Sequence, residues 1–352
     1  MEATKLPGRG TALNPANRYE PIFIELNDAE DSDLPQAPRT LYYRDRSRSV
    51  LAENNSPDIP FRFSLNPYRG CEHGCIYCYA RPTHEYLSFS AGLDFERRIM
   101  IKPEAPELLR RAMMSPQWQA QPIALSGNTD CYQPIERRLR LTRRCLEVFN
   151  EFRNPVSIVT KSTLVGRDVD LLGSLAARGA AEVMLSITTL DDELARRMEP
   201  RAAQPRLRLE ALRTLSDAGI PAGVMVAPVI PGLNDEEVPR LIEAAAGAGA
   251  RSAGWQLLRL PDPVDELFSA WLSEQFPERR ERVLGRIRAC RNGRLTDPCF
   301  GSRFRGEGVY AQQLEALFEI SVRRCGLDKP LPPLNTGAFH RPHTASEQLR
   351  LC

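Results

Sequence analysis

Apolar positions along this chain follow two rhythms, and from residue 61 onward the two alternate. Short apolar or β-branched runs fall at Phe61–Leu65, Pro122–Ser126, Val156–Thr160, Val183–Thr188, Ala222–Val229 and Gly254–Leu260. Each has the length and composition of a strand. Between them come stretches with helical spacing. These are Ala105–Met114, the series Ile135, Leu139, Thr142, Leu146 and Phe149, Val169–Ala177 ending at Gly179, Leu209, Leu212 and Leu215 before Gly219, Glu236–Ala246, and a run from Val264 to about Arg291. Six strands alternating with helices predict an α/β fold with a parallel sheet and right-handed crossovers. Six units are too few to close an eight-stranded barrel, so the pattern predicts an open, partial (β/α)6 TIM-like barrel. Functional residues in such a barrel gather on the loops that follow the strands.

The flanks read differently. Residues 1–60 hold seven prolines, no clear period and an acidic patch at Asp28, Glu30, Asp31 and Asp33. They predict an extended, partly ordered N-terminal arm draped over the main domain, with Ile22–Ile24 and Leu41–Tyr43 as short runs able to pack on a neighbour. Residues 61–291 form the core domain. Residues 292–352 are a C-terminal extension with one helix, Val309–Arg324, and a loose tail marked by Pro330, Pro332, Pro333 and Pro342.

Composition narrows the class. The 352 residues are 42% hydrophobic, enough for a sizeable core, and 47 Lys plus Arg stand against 45 Asp plus Glu. That balance argues against a polyanion-binding protein built on bulk charge, while leaving room for a local basic groove. No apolar run approaches the ~18 residues of a membrane helix. The longest, Ile220–Ile230, is interrupted by Pro221 and Pro228. The N-terminus lacks the pattern of a signal peptide, which predicts a cytoplasmic protein. Nine cysteines in a reducing compartment are then thiols or metal ligands rather than bridges. Oligomeric state is not legible.

Three of those cysteines carry the chemistry. Cys71-Glu72-His73-Gly74-Cys75-Ile76-Tyr77-Cys78 has C-x3-C-x2-C spacing on a short loop after the first strand. Three thiolates can hold three corners of an iron–sulfur cluster and leave the last iron open. Gly74 frees the backbone to curl around it, and Tyr77 presents its backbone to whatever binds that iron. The triplet alone also fits a Cys3His zinc site using His73 or His84.

The flanking residues discriminate. Ser64-Leu65-Asn66-Pro67-Tyr68-Arg69-Gly70-Cys71 and Cys78-Tyr79-Ala80-Arg81-Pro82-Thr83-His84, with the aromatic Tyr77 before the third cysteine, resemble the radical S-adenosylmethionine (SAM) superfamily. More narrowly they resemble its spore photoproduct lyase-like branch, over roughly residues 60–300. The resemblance implies a partial barrel of the radical SAM type, with a [4Fe–4S] cluster on Cys71, Cys75 and Cys78. It also implies SAM bound at the open iron and cleaved reductively to a 5′-deoxyadenosyl radical that takes hydrogen from an unknown substrate. A reductase or a flavodoxin- or ferredoxin-type donor would supply the electron; no membrane is involved.

The strand-end loops offer ligands for SAM. After the second strand, Asn128, Thr129 and Asp130 stand where the superfamily often has Gly-Gly-Glu, with helix capping as the plainer role. Lys161 after the third strand could neutralise a carboxylate or lie at the surface. Ser186 and Thr188 end the fourth strand with hydroxyls, and Arg201, on the loop that follows, could clamp a carboxylate. Ile230 belongs to a segment resembling the superfamily's fifth-strand motif, whose first glycine is here a proline and whose closing glutamate is Asp235. Leu258 ends the sixth strand beside the adenine site or simply in the core. Cys131 is either a hydrogen donor to a product radical or a buried core thiol. Arg137, Arg138, Arg140, Arg143 and Arg144 crowd one helix, more as a solvated face than as a phosphate-binding one. Two rival readings remain: a DNA-lesion lyase-like repair enzyme, its substrate possibly nucleic acid, and a non-catalytic iron–sulfur or zinc-binding regulatory protein.

Overall fold

The computed structural model describes residues 8–19, 39–329 and 331–342. The Asp28–Asp33 patch, the Ile22–Ile24 run and Cys352 lie outside them. In chain order the strands are β1 (Leu41–Arg44), β2 (Leu51–Glu53), β3 (Phe63–Leu65), β4 (Tyr68–Arg69), β5 (Arg98–Ile101), β6 (Ile123–Leu125), β7 (Val156–Thr160), β8 (Ala181–Ser186), β9 (Ala222–Val229) and β10 (Ala253–Leu257). The α-helices are α1 (Leu93–Arg97), α2 (Ala105–Met114), α3 (Glu136–Leu139), α4 (Leu141–Phe152), α5 (Val169–Ala176), α6 (Asp192–Met198), α7 (Pro205–Asp217), α8 (Val238–Gly247), α9 (Val264–Gln275), α10 (Arg280–Ala289) and α11 (Gly308–Arg324).

The large sheet runs β2-β3-β6-β7-β8-β9-β10. Its last six strands are parallel and stand in chain order, which is the partial barrel that the alternating pattern predicts. β2 adds an antiparallel edge through Leu51 opposite Leu65. β9 is buried on both faces, with six of its eight residues buried, and so reads as a continuous apolar run, whereas β7 and β8 alternate buried and more exposed positions. Pro106 and Pro205 sit in the first turns of α2 and α7, where a missing N–H costs nothing. Asp191 caps α6 by accepting from the amides of Glu193 and Leu194.

Several boundaries differ from the sequence expectation. The helical series from Ile135 to Phe149 is two helices, broken where Arg140 takes a left-handed φ of 52°. The run from Val264 to Arg291 breaks at Phe276–Pro277 into α9 and α10. The fourth and sixth strands run Ala181–Ser186 and Ala253–Leu257, so each begins and ends earlier than the sequence predicts. A small second sheet, β1-β5-β4, was not expected: β1 pairs parallel with β5, 57 residues downstream in register.

Among the described residues two large apolar cores, with two small satellite clusters, follow from this plan. The larger lies between the sheet and the outer helices and includes Leu109, Phe149, Phe152, Leu172, Leu212 and Ile242. The smaller sits at the strand ends and joins Cys75, Ile76 and Tyr77 to Met198, Ile230, Leu258, Phe268 and Trp271. The C-terminal part is attached to the barrel. α11 packs on α8, with the Phe318 ring 5.8 Å from that of Trp255. Asn335 donates to the Gly179 carbonyl and His340 to that of Phe152.

Candidate functional site

The cysteine loop follows β3 and β4, at the end of the barrel where the parallel strands finish. Gly74 turns it with φ 68°, and any Cβ there would press on the Glu96 carboxylate at 2.7 Å. Beneath the loop lies Arg81, a fully buried guanidinium. It donates to the carbonyls of Cys75 at 2.9 Å and Gly92 at 2.9 Å, and pairs with Glu96 at 2.5 Å. Four carbonyls, those of Gly74, Cys75, Ala91 and Gly92, and one carboxylate therefore hold this cation, and the cation in turn fixes the curl of the backbone. The loop's other edge is tied to the segment after α6: Ile76 N–H donates to the Met198 carbonyl at 3.0 Å, and Arg201 N–H to that of His73 at 3.2 Å.

Cys71 and Cys75 are buried and Cys78 is partly exposed. Burial pushes the Cys71 thiol well up, and Asp130, Cys75 and Cys78 add to the rise. Neither histidine joins them. His73 Nδ1 lies 3.3 Å from Asp130, and His84 Nε2 meets the Arg98 carbonyl at 2.9 Å. Among the described residues no three His, Cys, Asp or Glu side chains gather tightly enough to hold one metal ion. A Cys3His zinc site needs such a tetrahedron, whereas a cluster spreads its thiolates over separate irons. Three cysteines on one loop, with both nearby histidines engaged elsewhere, are a donor set that fits the cluster better than a Cys3His zinc ion.

Around this loop the structure gathers Tyr77, Lys161 and Thr188 on one buried carboxylate, Glu199, with Ser186 joined through Lys161. The Tyr77 hydroxyl and the Arg208 guanidinium both donate to it. Thr188 Oγ1 donates at 2.9 Å, and Lys161 Nζ stands 4.0 Å away. Burial alone would raise the pKa of Glu199; the charges of Arg208 and Lys161, with the Tyr77 hydroxyl, hold it at about 2 instead. Lys161 Nζ also donates to Ser186 Oγ at 2.6 Å and lies over the Tyr77 ring. Glu199 and Arg208 were not singled out from the sequence as site residues. The one available signal was a charged pair nine positions apart on either side of Pro200 and Pro205.

Asp130 plays a comparable part on the other flank. It accepts from Thr160 Oγ1, from the Lys161 amide and from the Tyr132 amide, each at 2.8 Å. Burial would raise it, but the His73 ring and these donors keep it at about 2. Its oxygens are thus engaged within the protein, joining the turn after β6 to the end of β7. Asn66 Oδ1 accepts from the amides of Asn128 and Thr129, and Thr129 Oγ1 donates to the Tyr68 carbonyl.

The remaining candidates divide. Ile230 is buried beside Tyr77 and Cys75, its amide bound to Asn234 Oδ1 at 2.6 Å, so the fifth-strand segment does reach the cysteine loop. Leu258 packs in the same cluster, but its backbone is already used: the N–H donates to the Val229 carbonyl and the C=O accepts from Arg291. Arg201 does clamp a carboxylate, that of Glu72 at 3.0 Å. Glu72 also accepts from Tyr42 and from the Ile135 amide. Cys131 has no exposed surface and sits in the larger core, its carbonyl held by Thr142. That is the placement of a packing residue rather than of a thiol open to substrate. In the arginine-rich helix, Arg143 pairs with Asp168 and Asp170, and Arg144 with Glu107.

The profile of the radical SAM superfamily matches residues 65–245. An uncharacterized protein of Mycobacterium tuberculosis is 34% identical over 288 residues, 81% of this chain and 82% of its own length. A radical SAM Nα-GlyT isomerase of Pseudomonas phage M6 is 24% identical over 234 residues, 65% of this chain and 47% of its own. Among solved structures, spore photoproduct lyase complexed with dinucleoside spore photoproduct aligns with a TM-score of 0.58 at 15% identity, over 80% of this chain and 79% of that one. At that identity the likeness speaks for the fold alone. Among the described residues no helix is long and apolar enough to cross a membrane.

Proposed function

This chain belongs to the radical SAM superfamily, and from that premise we propose that it is an enzyme holding a [4Fe–4S] cluster on Cys71, Cys75 and Cys78, with SAM as its cosubstrate. Membership implies an iron–sulfur cluster and SAM binding. The observation that carries the finer reading is the Arg81-braced loop. It carries all three cysteines on one short turn at the barrel mouth, while both nearby histidines are engaged elsewhere. When bound, the cluster supplies the electron that cleaves SAM to methionine and a 5′-deoxyadenosyl radical.

The chain's own residues supply position and shielding. Glu199 joins the Tyr77 hydroxyl to Thr188, just past the end of β8, and so sets where the Tyr77 backbone faces the cluster space. Lys161, held between Ser186 and Glu199, places a cation at the mouth that suits the methionine carboxylate of SAM. Asn128, between the Asn66-pinned turn and Asp130, is placed to meet the amino end. Ile230, with Leu258 behind it, offers an apolar wall for the adenine. Such sites work by binding, aligning and excluding water while the cofactor carries the chemistry.

The test is anaerobic reconstitution. Wild type should take up a full cluster, and Cys75→Ala should lose most of its iron. SAM should alter the electron paramagnetic resonance signal of the reduced cluster, and dithionite, standing in for a flavodoxin- or ferredoxin-type donor, should then release 5′-deoxyadenosine. A fully loaded protein that does neither sinks the reading. A lesion-lyase activity has only the shared fold behind it, and fold does not carry substrate.

A further inference from the structure

Six parallel strands leave the barrel open on one side, and the chain bridges that side through one ion pair. The sheet order puts β2 and β3 at one edge and β10 at the other. Asp58, in the turn between β2 and β3, reaches across to the loop that follows α10. Its carboxylate accepts from the Gly301 amide at 2.8 Å and from Arg303 Nε at 2.6 Å. Arg303 also donates to Ser56 Oγ, and its guanidinium packs on the Phe300 and Phe304 rings, 4.6 and 4.9 Å from their centroids. The same loop is moored to β10, where the Leu257 amide donates to the Phe304 carbonyl at 2.8 Å. Two edges that the sheet never pairs are thus joined by Asp58 and Arg303.

The joint is polar and lightly rooted. No residue from Leu51 to Phe63 is buried, and in residues 292–307 Arg303 is the one that is. None of Ile59, Phe61, Phe300 and Phe304 belongs to an apolar core. Gly301 and Gly306, at φ 88° and 78°, flank the cation with backbone that only glycine adopts freely. Segments with few buried apolar contacts are the ones that open locally. Parting this one returns a charge pair to water and uncovers no core. A desolvated pair gives back little more than its burial costs, so the closed and parted forms lie close in free energy.

Behind the joint lies the inner face of the sheet. β7 and β8 turn Val156, Ile158, Val183 and Leu185 into the core on the helix side, so by alternation Val159 and Met184 face inward. Val159 is 37% exposed there, whereas a closed barrel packs its interior with side chains. Lys161 and Ser186, bonded to each other at the mouth, follow on that same face two residues along from Val159 and Met184. The water-reached apolar interior therefore runs up to the place proposed for SAM.

We propose that the Asp58–Arg303 joint is a gate on the open side of the barrel: closed, it seals the inner face, and parted, it admits the apolar part of a substrate to Val159 and Met184 below the mouth. The proposal rests on the radical SAM reading only for what enters. The gate itself is measured without turnover, so its failure is separable from failure of the cluster assay.

The experiment uses the full chain with its cluster loaded and Val159→Cys as a reporter on the inner face. Peptide mass follows how fast the thiol at that position reacts with N-ethylmaleimide and with the bulkier fluorescein maleimide. With the joint intact, the small reagent should react and the bulky one lag far behind. Asp58→Asn keeps the shape and removes the charge, and should speed the bulky reaction roughly tenfold, about what one charge-assisted hydrogen bond holds. Arg303→Met should do the same, and Arg303→Lys should restore part of the seal. Amide exchange should rise together over residues 54–62 and 297–306 in Asp58→Asn and Arg303→Met, with β7, β8 and iron content unchanged. The gate is overturned if fluorescein maleimide already keeps pace with N-ethylmaleimide when the joint is intact, if neither Asp58→Asn nor Arg303→Met alters its rate, or if exchange rises on one side of the joint alone.

Discussion

Glu199 shows how one buried side chain can organise a site it never leaves. It has almost no exposed surface, and Arg208 beside it is equally buried. Desolvating both ions is costly, and the pair survives because Tyr77, Thr188 and the Ser186 and Ala203 carbonyls satisfy the remaining donors and acceptors. Glu199→Gln keeps the shape but leaves Arg208 as an uncompensated buried cation. The expected loss is on the order of 3–5 kcal/mol in denaturant unfolding, with Tyr77 released from Thr188. Adding Arg208→Met should restore part of that stability, because the orphaned charge goes with it. A double variant no better than the single would mean that the pair does not act as a unit.

At the scale of elements, residues 8–19 behave as a strap across the cysteine loop. Gly10 N–H donates to Glu96, the same carboxylate that holds Arg81. Leu93 N–H donates to the Leu13 carbonyl, and Asn17 to the carbonyls of Glu85 and Phe89. The approach is close enough that a Cβ on Gly10 would stand 1.8 Å from the Gly74 carbonyl oxygen. Gly10→Ala therefore cannot be absorbed by a side-chain shift; the strap has to lift from the loop. The predicted outcome is faster loss of iron to a chelator and faster amide exchange over residues 71–78, with exchange in β7 and β8 unchanged. Unaltered iron release would show that the strap does not shield the loop.

For the whole molecule, the buried carboxylates predict how acid acts. Asp130 and Glu199 titrate at about 2 in the fold against ordinary values of 3.8 and 4.5. A carboxylate whose folded pKa is depressed binds protons more readily when unfolded. Its contribution is complete above the unfolded value and is lost as pH falls toward the folded one. Stability should therefore decline most steeply between about pH 4.5 and 2. Both groups tie strand ends together, so the mouth of the barrel should loosen first. Unfolding midpoints taken through this range should show the decline, and Glu199→Gln should flatten part of it. A wild-type curve level down to pH 3 would remove these two groups as the cause.

The sequence by itself determined the parallel barrel and the cysteine triplet, because both are local signals. Val156–Thr160 and Ala222–Val229 are apolar runs bounded by helical periods, and three cysteines on eight consecutive residues share a loop whatever surrounds them. Tertiary structure alone decided what braces that loop and what each charged residue does. Tyr77 and Glu199 are 122 positions apart, Arg201 and Glu72 meet across two strand ends, and β1 pairs with β5 across three intervening strands and the cysteine loop. Pairings of that kind leave no period in the chain. Cys131 and Leu258 illustrate the reverse: each stands at a strand end where chemistry is expected, and packing buries the one and uses up the backbone of the other. A buried ion pair or a satisfied carbonyl depends on which side chains lie within about 3 Å, and only the folded chain brings residues so distant in sequence that close.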